Sequence, residues 1–182
     1  EAKKLEKLSG VKKVYPNFVV KTTLTSSVPL VGADKMWSLD SEENKCADTG
    51  KACLTGTDIK IGIIDTGVDY THPEFGSCTS EQFLNKQCSK VVGGYDIYSN
   101  DADPMDEIGH GTHVAAIAAG NGILKGVAPD AKLYTFKIFG KEDQSEDGMI
   151  LGAFERATDL NENGIPCENK DDCVDIISMS IG

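Results

Sequence analysis

A chain of 182 residues with 40% hydrophobic and 26% charged side chains can bury a real core and is too balanced to read as a disordered or repetitive polymer. Its formal net charge of −11 counts against nucleic acid as a partner, because polyanion binding rests on clustered Lys and Arg. The longest uninterrupted apolar run, residues 114–119, falls far short of the ~20 residues of a membrane-spanning helix, so no membrane partner is expected.

In chain order, residues 2–8 have helical spacing and stop at Ser9-Gly10, and residues 11–15 read as a short strand closed by Pro16. Residues 1–17 carry five Lys and two acids, net +3, which leaves −14 for the rest. A basic head on an acidic body predicts either two parts that attract each other or a few lysines on a solvated face. The chain opens on Glu1 without a basic-then-apolar leader and is read as an excerpt of a longer precursor. Residues 18–29, rich in Thr, Ser and Val, predict an extended linker, residues 33–39 one short helix, and residues 41–57 a polar loop.

Residues 60–64 form a short apolar run between turn residues, the pattern of a strand buried on both faces. Residues 91–98, 132–139 and 174–179 predict three more strands, with helices over 110–119 and roughly 146–161 between them. Strands alternating with helices predict an α/β fold, a mostly parallel sheet flanked by helices on both faces.

The six cysteines fall into three close couples: Cys46 with Cys53, Cys78 with Cys88, and Cys167 with Cys173. Each couple lies in a loop-like stretch and could close a short local ring. Neighbour pairing in an oxidising compartment is therefore the first expectation, with reduced surface thiols as the alternative. Zinc is disfavoured because no Cys-x-x-Cys pair occurs.

Chemistry is expected at strand ends, where open α/β sheets place their sites. Asp65 stands at the carboxyl end of the buried strand over 60–64; a carboxylate there must find hydrogen-bond partners. It can equally be catalytic or simply cap the next turn. Gly109-His110-Gly111-Thr112-His113 opens a helix of small residues that ends at Gly120-Asn121-Gly122. In the first helical turn the positive end of the dipole favours a neutral imidazole, as a general base requires. His110 and His113, with His72 the only other histidine, are too few for a convincing zinc site. His113 reads as a structural residue pointing back along a buried helix.

Four motifs in order, residues 61–75 (IGIIDTGVDYTHPEF), 106–119 (DEIGHGTHVAAIAA), 126–129 (GVAP) and 176–182 (IISMSIG), resemble the subtilisin-like serine proteases. The resemblance implies that Asp65 is the triad carboxylate and His110 the general base, with Asp65 holding the His110 tautomer. It implies that Ser180, Ile181 and Gly182 form one backbone edge for substrate, and Gly140, Glu142 and Gln144 the edge across the cleft, so that polypeptides are bound by main-chain pairing. Residues 1–17 would be the end of an inhibitory propeptide, residues 18–29 a linker with the maturation site, and residues 30–182 the N-terminal part of a secreted catalytic domain. The protein's own propeptide would then be a second partner.

Two departures limit the likeness. The family's chain order is Asp, His, Ser, and no Gly-Thr-Ser-Met-type block or oxyanion-hole Asn occurs in the 182 residues. Ser178 and Ser180 belong to the substrate-strand motif, so this stretch alone is expected to be inactive. Ala116 stands where the family usually has Gly, and the turn over 120–125 is short. Both count against the family's calcium loop, although Glu74 occupies a position suited to a ligand, and calcium is left open with no other cofactor implied.

Two other readings compete. Asp65-Thr66-Gly67 also marks aspartic proteases, which would need a mostly β fold; a truncated, non-catalytic binding or inhibitory module needs no nucleophile at all. Finally, Asp96, Asp101, Asp103, Asp106 and Glu107 precede the His110 helix, and Glu142, Asp143, Glu146 and Asp147 lie on the expected opposite rim. These acids either select cationic peptides or are solvated loop charges.

Overall fold

The computed structural model describes residues 28–141 and 145–181. The helix, strand and most of the linker predicted over residues 1–27 lie outside the described residues, as do Glu142, Asp143, Gln144 and Gly182.

The elements, in chain order, are helices α1 (Ala33–Met36) and α2 (Cys46–Thr49), strand β1 (Lys60–Asp65), helix α3 (Ser80–Leu84), strand β2 (Val91–Asp96), helix α4 (His110–Ala119), strand β3 (Lys132–Lys137), helix α5 (Asp147–Thr158) and strand β4 (Ile176–Met179). The strands form one sheet in the order β2-β3-β1-β4, with every pairing parallel. β1 is central, pairing Ile63 with Thr135 on β3 and with Ser178 on β4.

Alternation along β1 divides the core between the two faces of the sheet. Ile61 and Ile63 join Val68, Tyr70, Phe75, Leu133 and the small residues Ala115 and Ala119 of α4 in one buried cluster. Ile64 joins Phe136, Ile138 and Ala153 and Ala157 of α5 in the other. The sheet is thus covered by α4 on one face and α5 on the other, the α/β architecture predicted. Such an all-parallel sheet is incompatible with the mostly β fold of an aspartic protease.

Several expectations need correction. The strands over 91–98 and 132–139 end earlier, at Asp96 and Lys137, and the last strand starts at Ile176. The chain leaves the ladder there to place side-chain caps: Asp96 accepts the Ser99 N–H at 2.8 Å. The last helix spans Asp147–Thr158, because Asp159 turns to cap the loop beyond it, accepting the Gly164 N–H at 2.7 Å. Residues 28–30 are helical, where extended chain was expected to run to residue 29. The polar loop over 41–57 contains α2, built around fully buried Asp40, which accepts the N–H groups of Glu42 and Asn44 and the Thr49 hydroxyl.

Two of the three expected disulfides form, Cys46–Cys53 and Cys78–Cys88. Cys167 and Cys173 are free thiols. A hydrogen bond to Cys167, reinforced by burial, pushes the Cys173 thiol up to about 11, which keeps it protonated and slow to oxidise.

Candidate active site

The carboxyl end of β1 and the first turn of α4 meet at Asp65 and His110. Asp65 is 1% exposed; its Oδ1 accepts the Thr66 N–H at 2.7 Å and lies 2.7 Å from His110 Nδ1. The His110 side chain is half exposed. One face of the pair is therefore locked in the protein while the imidazole reaches the surface.

Glycines allow these two segments to approach. Gly67 has φ +102°, and a Cβ there would stand 2.4 Å from the Pro104 carbonyl oxygen; a Cβ on Gly111 would stand 2.2 Å from the Gly67 carbonyl oxygen. Larger residues at either position would push the His110 helix off the Asp65 turn.

A network of threonines and one carboxylate fixes the approach. Thr66 Oγ1 accepts the Gly111 N–H at 2.8 Å and donates to Asp106 Oδ1 at 2.9 Å. Asp106 also accepts the N–H groups of Ile108 and Gly109, and both the N–H and the hydroxyl of Thr112. Thr112 in turn accepts the Asp69 N–H at 2.9 Å. Burial pushes the Asp106 pKa up, but the Gly109 N–H, the Thr112 hydroxyl and the N–H groups of Ile108 and Thr112 outweigh it and hold the carboxyl below its usual range. Sequence reading placed Asp106 among rim acids and missed this role. The signal available was an acid ahead of a helix whose first residues lack a side-chain cap, Gly109 standing at the N-cap.

Three of the other four acids before α4 also have side-chain partners, while Asp101 is exposed, so this segment is not a uniformly free acidic rim. Asp96 is buried 3.3 Å from Lys137 Nζ. Asp103 accepts the Tyr70 hydroxyl at 2.6 Å, and Glu107 pairs with Lys141 at 2.9 Å. Lys137, contributed by β3, is the cation that the local sequence lacked.

The residues expected to line the substrate cleft divide into described and undescribed ones. Gly140 is buried just beyond β3, and a Cβ there would collide with the Tyr98 ring. Ser180 is exposed and follows β4, whose Met179 pairs with Ile64; Ile181 packs against the α5 cluster. The segments bearing Gly140 and Ser180 thus continue the two strands that flank β1, one on each side of Asp65. His113 is exposed, not buried as expected, because α4 turns Ala115 and Ala119 to the sheet.

Among the described residues no group of three or more His, Cys, Asp or Glu side chains is placed to hold a metal. The calcium loop that the resemblance raised does not fit around Glu74. The largely buried Glu74 carboxylate accepts the N–H groups of Gly122, Ile123 and Leu124 at 2.9–3.0 Å. A cation needs oxygens converging on it, whereas this short loop turns its N–H donors inward.

A family model described as the subtilase family matches residues 56–182. The chain is 31% identical over 208 aligned residues to the minor extracellular protease Vpr of Bacillus subtilis, covering 100% of this chain and 22% of that protein. It is 28% identical to the serine protease AprX of the same organism, covering 98% of this chain and 35% of the relative. With subtilisin DY of Bacillus licheniformis the identity is 30%, over 88% of this chain and 45% of the relative. The chain therefore spans less than half the length of each of these relatives.

Proposed function

The chain belongs to the subtilase family, and from that premise we propose that the full-length protein is a serine endopeptidase that hydrolyses peptide bonds of proteins, with Asp65 and His110 as two members of its triad. The observation that carries this reading is the 2.7 Å contact between His110 Nδ1 and the buried Asp65. With Nδ1–H held by a carboxylate, the imidazole is set in the tautomer whose Nε2 can take a proton from a serine hydroxyl and return it to the leaving amine. Asp65 stabilises the imidazolium formed in between. The nucleophile belongs to sequence outside these 182 residues.

Substrate polypeptide pairs in this reading with two backbone edges, Ser180-Ile181-Gly182 on one side and Gly140, Glu142 and Gln144 on the other. Residues 1–17 act as the end of an inhibitory propeptide, residues 18–29 carry the maturation site, and residues 30–182 begin the catalytic domain. Export to an oxidising compartment is supported by the two disulfides and by the extracellular relative.

The test is hydrolysis of casein by the full-length protein and by its His110→Ala and Asp65→Asn variants. Turnover should fall by several orders of magnitude in both, with thermal unfolding little changed. Undiminished turnover in His110→Ala would overturn the assignment.

A further inference from the structure

Lys137 is a buried cation that the proton chemistry above does not use. It closes β3 in register with Asp65 on one neighbouring strand and with Asp96 on the other, and it is 5% exposed. An ammonium is costly to bury unless its charge and its protons are both met. Here they are met by two other segments of the chain. Nζ donates to the Met105 carbonyl at 2.9 Å and lies 3.3 Å from the Asp96 carboxylate and 3.6 Å from that of Glu107.

The contact with Met105 reaches the candidate site. Met105 directly precedes Asp106, the carboxylate that gathers the Thr66 hydroxyl and the donors of the first turn of α4. On its other side the same stretch rests on the turn that follows Asp65. The Val68 N–H donates to the Pro104 carbonyl at 3.1 Å, and a Cβ on Gly67 would stand 3.1 Å from the Met105 carbonyl carbon. Residues 104–106 are thus held between Gly67 and the Lys137 ammonium.

The strand that carries Lys137 is itself fixed to Asp65, because the Ile138 N–H donates to the Asp65 carbonyl at 2.9 Å. β3 therefore gives the ammonium a rigid base, and Asp96 supplies its buried countercharge. The outer pair of Glu107 with Lys141 is solvent-exposed and adds little.

We propose that Lys137 is a positioning residue. By holding the Met105 carbonyl it sets the loop ahead of α4, and with it the His110 imidazole, at the distance from Asp65 that proton transfer needs. This role rests on the reading of Asp65 and His110 as triad members, and it gives Lys137 no contact with substrate.

The experiment compares the full-length wild-type protein with Lys137→Met and with Lys137→Met combined with Asp96→Asn. The double variant removes both buried charges, a change that buried ion pairs commonly tolerate, and its Asn keeps an oxygen for the Ser99 N–H. It serves should the single variant, which leaves Asp96 without its cation, fail to fold. Hydrolysis of a chromogenic peptide is measured, with active sites counted by a serine-directed covalent inhibitor. Since a ~1 Å misplacement can cost ~100-fold, kcat per titrated site should fall about tenfold or more. KM should change little, because β3 stays paired with β1. A merely structural role would lower the melting temperature and the number of titrated sites but leave kcat per site unchanged, and that result would overturn the proposal. Proton NMR supplies a readout independent of turnover: the downfield Nδ1–H resonance of His110 should shift upfield or be lost to solvent exchange in the double variant. Its persistence at the wild-type position would also count decisively against Lys137. An inactive wild-type protein would instead sink the protease reading, and the NMR comparison would still decide whether Lys137 places His110.

Discussion

Asp106 Oδ1 lies 2.9 Å from the Thr66 hydroxyl, so the loop ahead of α4 is fastened to the residue that follows Asp65. Through Thr66 the same link reaches the Gly111 N–H, and the His110 imidazole is thereby held against Asp65 from both sides in sequence.

Removing that carboxylate should therefore disturb both stability and turnover. Asp106→Ala leaves several N–H and O–H donors without an acceptor, and charge-assisted hydrogen bonds contribute ~1.5–3 kcal/mol each, so a loss of about 3 kcal/mol or more is expected. The pH dependence has a definite sign. The folded-state pKa of Asp106 is depressed, so its contribution is complete above the unfolded-state value and is lost as pH falls through the folded one. Thermal unfolding of the wild-type protein should weaken below about pH 4, and Asp106→Asn should remove part of that decline. A variant with wild-type melting at neutral pH would show that the network carries no weight.

The two ends of this network differ in how far the sequence discloses them. Asp65 terminates an unbroken apolar run and His110 begins a run of small residues, so local pattern alone places both at the ends of buried elements. Asp106 sits among five acids within residues 96–107, where charge count suggests a solvated surface. Its partners Thr66 and Thr112, like Lys137 beside Asp96, come from other segments of the chain, and no local window contains them. The short helices α2 and α3 were hidden for a related reason. Four or five residues show no helical periodicity, and they are held by Asp40, by the Thr79–Gln82 capping box and by disulfides.

The cysteine arrangement is open to direct chemical test. Alkylation in denaturant without reductant, followed by mass spectrometry of the digest, should find Cys46 linked to Cys53 and Cys78 to Cys88, with Cys167 and Cys173 alkylated. Loops this short restrain few unfolded conformations, so each bridge should add at most about 2–3 kcal/mol. A Cys167–Cys173 peptide, or any link between couples, would contradict the arrangement.

Glu74 separates an internal clamp from a metal ligand. Its carboxylate satisfies three consecutive N–H groups, those of Gly122, Ile123 and Leu124, in the turn that joins α4 to the approach of β3. The turn is also tied back by the Asn121 N–H, which donates to the Glu74 carbonyl at 3.0 Å. A Cβ on Gly122 would stand 2.8 Å from the Glu74 Cα, so the turn cannot open to admit an ion without losing its packing. Glu74→Ala should cost about 1–3 kcal/mol, the range of hydrogen bonds to a charged acceptor, because the N–H groups of exposed Gly122 and Ile123 can turn to water. Glu74→Gln should cost less, since one acceptor oxygen survives. Neither change should alter calcium binding by the full-length protein, because the carboxylate is filled by N–H donors. A calcium equivalent bound by the wild-type protein and lost in Glu74→Gln would place an ion at the α4 turn and overturn the clamp.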